Sequence, residues 1–422
     1  MTARRGPSGQ GLRPERLPTN TTAHQHAVHR WFSFIAGFSP EFVALCCEGV
    51  ARGVLVDPFA GCGTALVVAR ERGWRSIGFE PHPFFSRIAR AKVSPPPSCA
   101  RLAVLERVLL EGVRAPRDAQ VLEPGARRFL EKLFDAVTLA RVLGARESLR
   151  EQGLAGDDVG FLLLSRVVDM CSRAQTDGIY KAPTSRKRAA EPEAAIREVL
   201  ACVRADVERL GPGEGEAAVV VEDSSESMAR VETGSADVIV TSPPYLNNFD
   251  FAEMTRMHLY FWGMCASWRE ITEKVRSRLL VNTTTALAGH RERQAEYRDA
   301  IVPSLRPELD TVVRALTGER TRRAGRKEYD LLVYPYFAQM SRVLGESWRC
   351  LARGGKLNLV VADAALYGVH VSTPQYLARL AAEHGFQRVR CELLRARGHR
   401  WILAKRDGSP RGLGEYHLSG ER

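Results

Sequence analysis

The sequence lacks three features that would place it in familiar classes: a long apolar run, a paired-cysteine motif and an internal repeat. No stretch approaches the roughly 18 apolar residues that a membrane-spanning helix needs, so we predict no membrane partner. The 9 cysteines include no C-x-x-C pair, which argues against a zinc ribbon. Their odd number and the lack of a secretion signal predict a reducing, cytoplasmic location.

Positive charge is in surplus. The 422 residues include 61 Lys and Arg against 49 Asp and Glu, a formal net charge of +12. A basic chain favours a polyanionic partner, because each neutralised phosphate releases condensed counterions. A solvated, arginine-rich surface explains the same surplus equally well. Charge alone therefore does not decide whether the partner is a nucleic acid.

The first clear structural signal is one βαβ unit. An apolar strand at 54–56 meets a glycine-rich turn, followed by a helix from about Thr64 to Arg72 and a second strand that ends at Phe79. Such a unit is typical of the start of a doubly wound α/β sheet. Four helical patterns follow between 99 and 210, where we find no strand alternation. QRVRCELLRAR and RWILAKRD are interpreted as a closing antiparallel pair.

The turn of this unit is predicted to bind a nucleoside cofactor. It reads Asp57-Pro58-Phe59-Ala60-Gly61-Cys62-Gly63-Thr64, and its glycines allow the backbone to approach a ligand closely. The following helix directs free N–H groups at that ligand. Glu80, followed by Pro81, ends the second strand, where a carboxylate can accept hydrogen bonds from ribose hydroxyls. Because G-x-G-x-x-G is absent, a dinucleotide is disfavoured. A buried Asp57 would be stabilised by a cationic ligand group.

The second motif is Thr241-Ser242-Pro243-Pro244-Tyr245, which follows the apolar strand at 236–240. The Ser242 hydroxyl and the Pro243 carbonyl can each accept a hydrogen bond from a base amine and direct its lone pair at a methyl donor. Tyr245 offers a flat face on which a base can stack, although an ordinary core aromatic is the alternative. A duplex base can reach such a pocket only by flipping out of the helix.

The two motifs together resemble those of the amino-methylating DNA methyltransferases, which act on cytosine N4 or adenine N6. The resemblance implies S-adenosylmethionine as cofactor, double-stranded DNA as partner, and a Rossmann-like class I methyltransferase fold with a mostly parallel seven-stranded sheet and a helical insert. In that family SPPY is associated with cytosine N4, so Ser242 favours this base over the alternatives of adenine N6 and RNA. By position, Asp57, Gly61, Gly63 and Glu80 match the cofactor site. The match further implies that Asp223 lies near the adenine and that 24–38 closes over the methionine end.

The histidines of that last segment, His24, His26 and His29, are interpreted as part of this cover, and no metal site is predicted. The resemblance assigns the catalytic core to 21–95, 215–265 and 330–406. A helical insert at 96–214 and a second insert at 266–329 are hypothesised to contact the target DNA. A disordered basic arm at 1–20 and a tail at 407–422 complete the chain.

Two basic clusters motivate the assignment of the inserts to DNA, and a solvated charge run is the alternative for each. Their members are Tyr180, Lys181, Arg186, Lys187 and Arg188 in the first, and Arg320, Arg322, Arg323, Arg326 and Lys327 in the second. The cofactor motif precedes SPPY, which is the reverse of the commoner order in cytosine-N4 enzymes, so the family does not place target recognition. A cognate restriction partner is possible, but the sequence does not indicate one, and it gives neither the recognition sequence nor the oligomeric state.

Overall fold

The computed structural model describes residues 22–32, 37–50, 53–177, 180–211, 218–324, 327–396 and 412–422, with the backbone alone at 175–186. The basic arm predicted at 1–20 lies outside the described residues. Within them, no helix has the length and apolarity to cross a membrane. The described part of the chain also holds no group of three or more side chains suited to bind a metal.

The described chain contains both strands and helices, with two runs of consecutive helices at 83–171 and 251–350. The strands are β1 Val54–Asp57, β2 Arg75–Phe79, β3 Ala174–Asp177, β4 Tyr180–Arg186, β5 Ala218–Val221, β6 Ala236–Thr241, β7 Leu351–Ala362, β8 Ala364–Leu366, β9 Val369–Val371, β10 Gln387–Ala396 and β11 Gly414–Glu421. The α-helices are α1 Pro40–Cys46, α2 Thr64–Glu71, α3 Pro83–Val93, α4 Cys99–Arg114, α5 Pro124–Leu133, α6 Ala136–Glu151, α7 Asp158–Cys171, α8 Pro192–Leu210, α9 Phe251–Met254, α10 Arg256–Phe261, α11 Trp268–Lys274, α12 Gln294–Ala300, α13 Arg306–Arg322, α14 Val333–Cys350 and α15 Thr373–Glu383.

Seven strands form one sheet in the order β10-β11-β7-β6-β1-β2-β5. Their pairings are parallel except for the two made by β11, which is antiparallel to both β7 and β10. From β1 the chain first adds β2 and β5 on one side of the sheet and then crosses to add β6 and β7 on the other side, so the strand order reverses at β1. This arrangement confirms the predicted Rossmann-like fold and its mostly parallel seven-stranded sheet. A topological switch point of this kind leaves a crevice at the carboxyl ends of the central strands.

Both faces of the sheet are covered, as parallel strands require. Along β6, Val238 and Val240 face one hydrophobic core, while Ala236 and Ile239 face the other. The first core includes α2, α3 and the helices of the predicted insert, α4 to α8. The second includes α12, α13, α14 and α15. The helical insert therefore shares a continuous core with the cofactor-binding half and does not form a separate unit.

The carboxyl-terminal part of the sheet differs from the sequence interpretation. The partner of β10 is β11 at 414–421, in the segment predicted to be a tail, so the catalytic sheet does not end at 406. The predicted partner RWILAKRD falls outside the described residues. The β11 sequence GEYHLSGE carries little apolar alternation, and its pairing with neighbours on both sides gives it a strand conformation that its own pattern does not predict.

Two smaller elements were also missed. The predicted all-helical insert contains the hairpin β3–β4, whose polar sequence lacks strand alternation. α14 ends at Cys350, and the glycine pair Gly354-Gly355 lies within β7. Gly354 has φ +77° there, a conformation that glycine adopts readily. The second insert, for which no period was evident, contains α11, α12 and α13.

Candidate active site

A cleft opens at the carboxyl ends of the central strands and holds about 900 Å³ of empty space, part of it open to solvent. Among the predicted residues, the lining includes Phe59, Ala60, Gly61, Thr64, Glu80, Pro81, Ser242 and Pro244. The two sequence motifs, which are far apart in the chain, therefore share one cleft.

The glycine-rich turn has the backbone geometry that its sequence predicts. Gly61 and Gly63 have φ values of +51° and +82°, both in the left-handed region. Gly63 is the N-cap of α2, and a Cβ there would lie 3.3 Å from the Cα of Ala89. The turn is tied to the neighbouring strand by a bond from the Ala60 N–H to the Phe79 carbonyl at 2.9 Å. The first turn of α2 consequently faces the cleft with its N–H groups.

Asp57 and Thr241 join the ends of β1 and β6 beneath the cleft. The Thr241 hydroxyl donates to Asp57 Oδ1 at 2.6 Å, and the Phe59 N–H donates to the same oxygen at 3.0 Å. Both side chains are buried. Burial raises the pKa of Asp57 to about 7, and these two hydrogen bonds oppose the rise. No described cation is paired with this carboxyl group, so a cationic ligand would stabilise its ionised form.

Glu80 holds the glycine turn from the end of β2. Its Oε2 accepts from the Gly61 N–H at 2.8 Å, and its Oε1 accepts from the His82 N–H at 2.9 Å. Burial raises the pKa of Glu80 to about 8, with these two bonds acting in the opposite direction. Each carboxylate oxygen keeps acceptor capacity for a further donor, such as a ribose hydroxyl. The predicted ribose acid is therefore in the cleft wall and already oriented.

The SPPY segment follows β6 directly. The Ser242 hydroxyl donates to the Val360 carbonyl on β7 at 3.2 Å, which leaves its oxygen able to accept hydrogen bonds. Pro243 is buried, whereas Pro244 lines the cleft. The Tyr245 hydroxyl donates to Glu415 Oε1 at 2.9 Å, so the tyrosine is fixed against β11. Its ring is half-buried and is not in the cleft lining; its stacking on a base stays a prediction.

Three other predicted residues lie at or below the cleft edge. Pro58 and Thr241 are buried under the turn, where they support it. Asp223 is exposed and accepts from the Ser224 N–H at 2.7 Å, the contact expected of a turn residue. The adjacent Ser224 and Ser225 line the cleft instead. A role of Asp223 near an adenine stays a prediction.

The second insert supplies a wall that the motifs did not indicate. Arg278, Leu279, Leu280 and Asn282 line the cleft. The Asn282 side-chain amide donates to the Phe249 carbonyl at 2.9 Å and to the Tyr245 carbonyl at 3.3 Å. It thereby fixes the loop after SPPY. No periodicity in the sequence marks this contact, because it joins two irregular segments.

The segment before α1 reaches the cleft through Gly37 and Phe38. Two buried charged residues hold its earlier part. Lys92 Nζ on α3 donates to the Phe32 carbonyl at 2.8 Å and to the His29 carbonyl at 3.1 Å. Asp206 on α8 accepts from the Val28 N–H, from the Trp31 indole N–H and from the guanidinium of Arg30. The helical insert therefore anchors part of the predicted cofactor cover.

The basic clusters predicted to contact DNA are partly paired within the chain. Arg320 pairs with Asp330 at 3.0 Å, and both Arg322 and Arg323 pair with Glu319. In the first cluster, Lys187 Nζ donates to the Asp169 carbonyl at 2.7 Å. The side chains of 180–186 and all of Arg326 lie outside the described residues. These contacts favour a structural role for the paired members.

No protein-family profile matches the chain. It is similar to the Type II methyltransferase M.BsoBI of Geobacillus stearothermophilus, with 21% identity over 88% of this chain and 81% of that protein. It is also similar to the Type II methyltransferase M.AvaI of Nostoc sp., with 22% identity over 85% of this chain and 79% of that protein. The chain is therefore similar, at low identity, to two Type II methyltransferases over most of its length.

Most of the chain is aligned in each case. Among solved structures, the [4+2]-cyclase SpnF covers 98% of the chain at 9% identity, with a TM-score of 0.33, which is too low to carry an argument. The assignment of the fold rests on the strand order and pairing of this chain itself.

Proposed function

We propose that the chain is an S-adenosylmethionine-dependent DNA methyltransferase that transfers a methyl group to the exocyclic N4 of a flipped-out cytosine in double-stranded DNA. One observation carries the proposal. The glycine turn with its buried carboxyl groups and the SPPY segment, remote in sequence, meet in a single cleft. The similarity to Type II methyltransferases supports the transfer of a methyl group and site-specific DNA as the substrate.

The residues present fit such a cofactor. Asp57 and Glu80 are buried carboxyl groups without a described cationic partner, and burial raises the pKa of both. A bound ligand that brings positive charge and hydroxyl donors would satisfy both groups. Glu80 would receive the ribose hydroxyls, and Asp57 would favour the cationic methionine end. When bound, S-adenosylmethionine supplies an electrophilic methyl group.

The residues at the other side of the cleft fit an amine nucleophile. Ser242, whose hydroxyl proton is directed at Val360, presents an acceptor oxygen, and the Pro243 carbonyl is the second acceptor. Two accepted N–H bonds would make the amine nitrogen more tetrahedral and direct its lone pair at the methyl carbon. Methyl transfer would leave one surplus proton on the nitrogen, and water in the part of the cleft that is open to solvent would accept it. The serine of SPPY supports cytosine N4 as the target.

The direct test is methyl transfer from labelled S-adenosylmethionine to an unmethylated plasmid and to tRNA in parallel, followed by mass spectrometry of the nucleosides. We expect N4-methylcytosine in the plasmid. N6-methyladenine would overturn the choice of base, and label in tRNA alone would overturn the choice of DNA. Absence of transfer to either would overturn the proposal as a whole.

A variant pair ties the activity to the cleft. Ser242→Ala removes the proposed acceptor hydroxyl, and we expect kcat to fall by about 10- to 100-fold, the range of one well-placed hydrogen bond in a transition state. Ser277→Ala is the matched control, because Ser277 is exposed and its hydroxyl bonds only to the Glu273 carbonyl of its own helical turn. Equal rates for both variants would remove Ser242 from the mechanism.

A further inference from the structure

A second groove lies between α5 and the segment formed by α10 and α11. It holds about 1030 Å³ of empty space, open to solvent in part, and is lined by Gly125, Arg128, Phe129, Glu131, Lys132, Arg256, Tyr260, Ser267 and Trp268. The guanidinium of Arg256 lies 4.0 Å from the ring centroid of Phe129, 5.0 Å from that of Trp268 and 5.2 Å from that of Tyr260. Three aromatic rings thus fix its position.

No described acid is paired with Arg256. Its guanidinium has no hydrogen bond or ion pair with any described residue, and its Nε is buried without a partner. By contrast, Arg269 pairs with Glu273 at 2.6 Å. A partly buried cation with unsatisfied N–H groups is costly unless an anion completes it. The three aromatic rings, which form a cage around Arg256, therefore hold its guanidinium where an anionic group from outside the chain can bind.

The charges around the groove favour a polyanion. Three cationic side chains and one acidic side chain line it, and Arg128 and Lys132 are exposed on α5. Glu253 on α9 interacts electrostatically with Arg256 without forming an ion pair with it. Trp268 is 39% exposed, so an aromatic face is available beside the cations. Cations interleaved with aromatic rings are typical of surfaces that bind nucleic-acid backbones.

The groove is connected to the candidate active site by a short series of contacts. The guanidinium of Arg276 lies 4.2 Å from the ring centroid of Trp268, and its Nε donates to Asp250 Oδ2 at 2.8 Å. Asp250 caps α9 on the loop that leaves Tyr245. The neighbouring Arg278 already lines the cleft. An anion held at Arg256 would therefore lie beside the element that carries the SPPY loop.

We infer that this groove binds a backbone phosphate of the DNA flanking the target base, with Arg256 as the phosphate ligand and Arg128 and Lys132 as auxiliary cations. The inference rests on the proposed function, since it names where the DNA is held. It places a DNA contact at this groove and not at the arginines of 320–323, which the sequence predicted for this role but which are paired within the chain. Loss of this contact weakens binding for all sequences, because a phosphate carries no base identity.

The test is duplex-DNA binding by fluorescence anisotropy across a series of salt concentrations, with Arg256→Met and Arg269→Met compared. Methionine retains an apolar stem for the aromatic cage and removes the charge. We expect Arg256→Met to weaken binding about tenfold and to reduce the slope of log K against log salt by about 1. Arg269→Met, on the exposed side of α11 and paired with Glu273, should leave both unchanged.

Thermal unfolding of the variants separates a loss of contact from a loss of fold. If Arg256→Met unfolds, the exposed double variant Arg128→Gln, Lys132→Gln should reproduce the weaker binding and the lower slope. The inferred phosphate site would be wrong if the folded variants bound DNA with unchanged affinity and slope. If the wild-type protein still methylated plasmid, the proposed function would be unaffected. A wild-type protein that neither methylates nor binds DNA would overturn both.

Discussion

Replacement of Glu80 by glutamine should change how the stability of the unliganded protein depends on pH. The carboxyl group has a pKa raised from 4.5 to about 8 by burial. Because the folded protein binds this proton more tightly than the unfolded chain does, the protonated group stabilises the fold at low pH. This stabilisation is complete below the pKa of the unfolded state and is lost as the pH rises through the pKa of the folded state. The loss therefore falls between about pH 4.5 and pH 8. A shift of about 3.5 units corresponds to roughly 5 kcal/mol, at about 1.36 kcal/mol per unit.

Glutamine removes this titration but also removes an acceptor. Glu80 receives the Gly61 N–H on one oxygen and the His82 N–H on the other, whereas glutamine has a single carbonyl oxygen. One buried N–H loses its partner, which costs about 1–3 kcal/mol at every pH. Glu80→Gln should thus be less stable than wild type near pH 5 and more stable, by about 2–4 kcal/mol, near pH 9. The two stability curves are expected to cross between these values.

The measurement is urea unfolding of the cofactor-free protein from pH 5 to pH 9, with fluorescence as the probe. Asp57 titrates in both proteins, and its charge helps to raise the pKa of Glu80, so the difference between the two curves reports Glu80 together with its coupling to Asp57. Glu48→Gln is the control, because Glu48 is exposed, and its difference curve should be flat. Parallel curves for wild type and Glu80→Gln would show that burial does not raise the pKa of Glu80, and the argument from its environment would fail.

Three further changes probe the surroundings of the cleft. Asp206→Asn should lower the free energy of unfolding by about 1–3 kcal/mol in chemical denaturation, since it removes a buried charged acceptor from the Val28 and Trp31 N–H groups, and should raise the Kd for S-adenosylmethionine in calorimetry. Tyr245→Phe should keep most of kcat, because only the hydroxyl bond to Glu415 is lost, whereas Tyr245→Ala should lose far more; equal rates would refute a role for the ring. Gly78→Ala should lower the midpoint of thermal unfolding, because the added Cβ would lie 2.8 Å from the Cβ of Ala60. An unchanged midpoint would show that the glycine-rich turn can move to accommodate the methyl group without loss of stability.

Local chemistry explains which parts of the fold could be predicted. The strand and helix around the glycine turn were placed to within a residue or two, because the apolar run, the left-handed glycines and the helix start all lie within one short segment. The end of β2 at Phe79 followed in the same way. β11 could not be predicted, since its polar sequence forms a strand only between β7 and β10. Long-range pairing overrides local preference there.

The same distinction applies to the site. Asp57, Glu80 and Ser242 were predicted from their motifs, and the structure brings them to one cleft or directly beneath it. Asn282 and Arg278 could not be predicted, because they reach the cleft from a segment without periodicity or motif. Arg256 was also not singled out, although the sequence shows it. Its significance comes from three rings that converge from α5, α10 and α11 and from the absence of a described acid partner.

The two sites have opposite electrostatic character, and this difference bears on how a basic protein can bind two ligands of opposite charge. The cleft holds the buried carboxyl groups of Asp57 and Glu80, and its arginine, Arg278, pairs with Glu222 at 3.3 Å. The groove presents Arg256 without a described acid partner. Because burial raises the pKa of Asp57 to about 7 and of Glu80 to about 8, a cationic cofactor would favour the ionised form of both groups, whereas a phosphate would disfavour it and would bind at the groove. High salt should therefore weaken DNA binding much more than cofactor binding, because the groove is open to solvent and the carboxyl groups are buried.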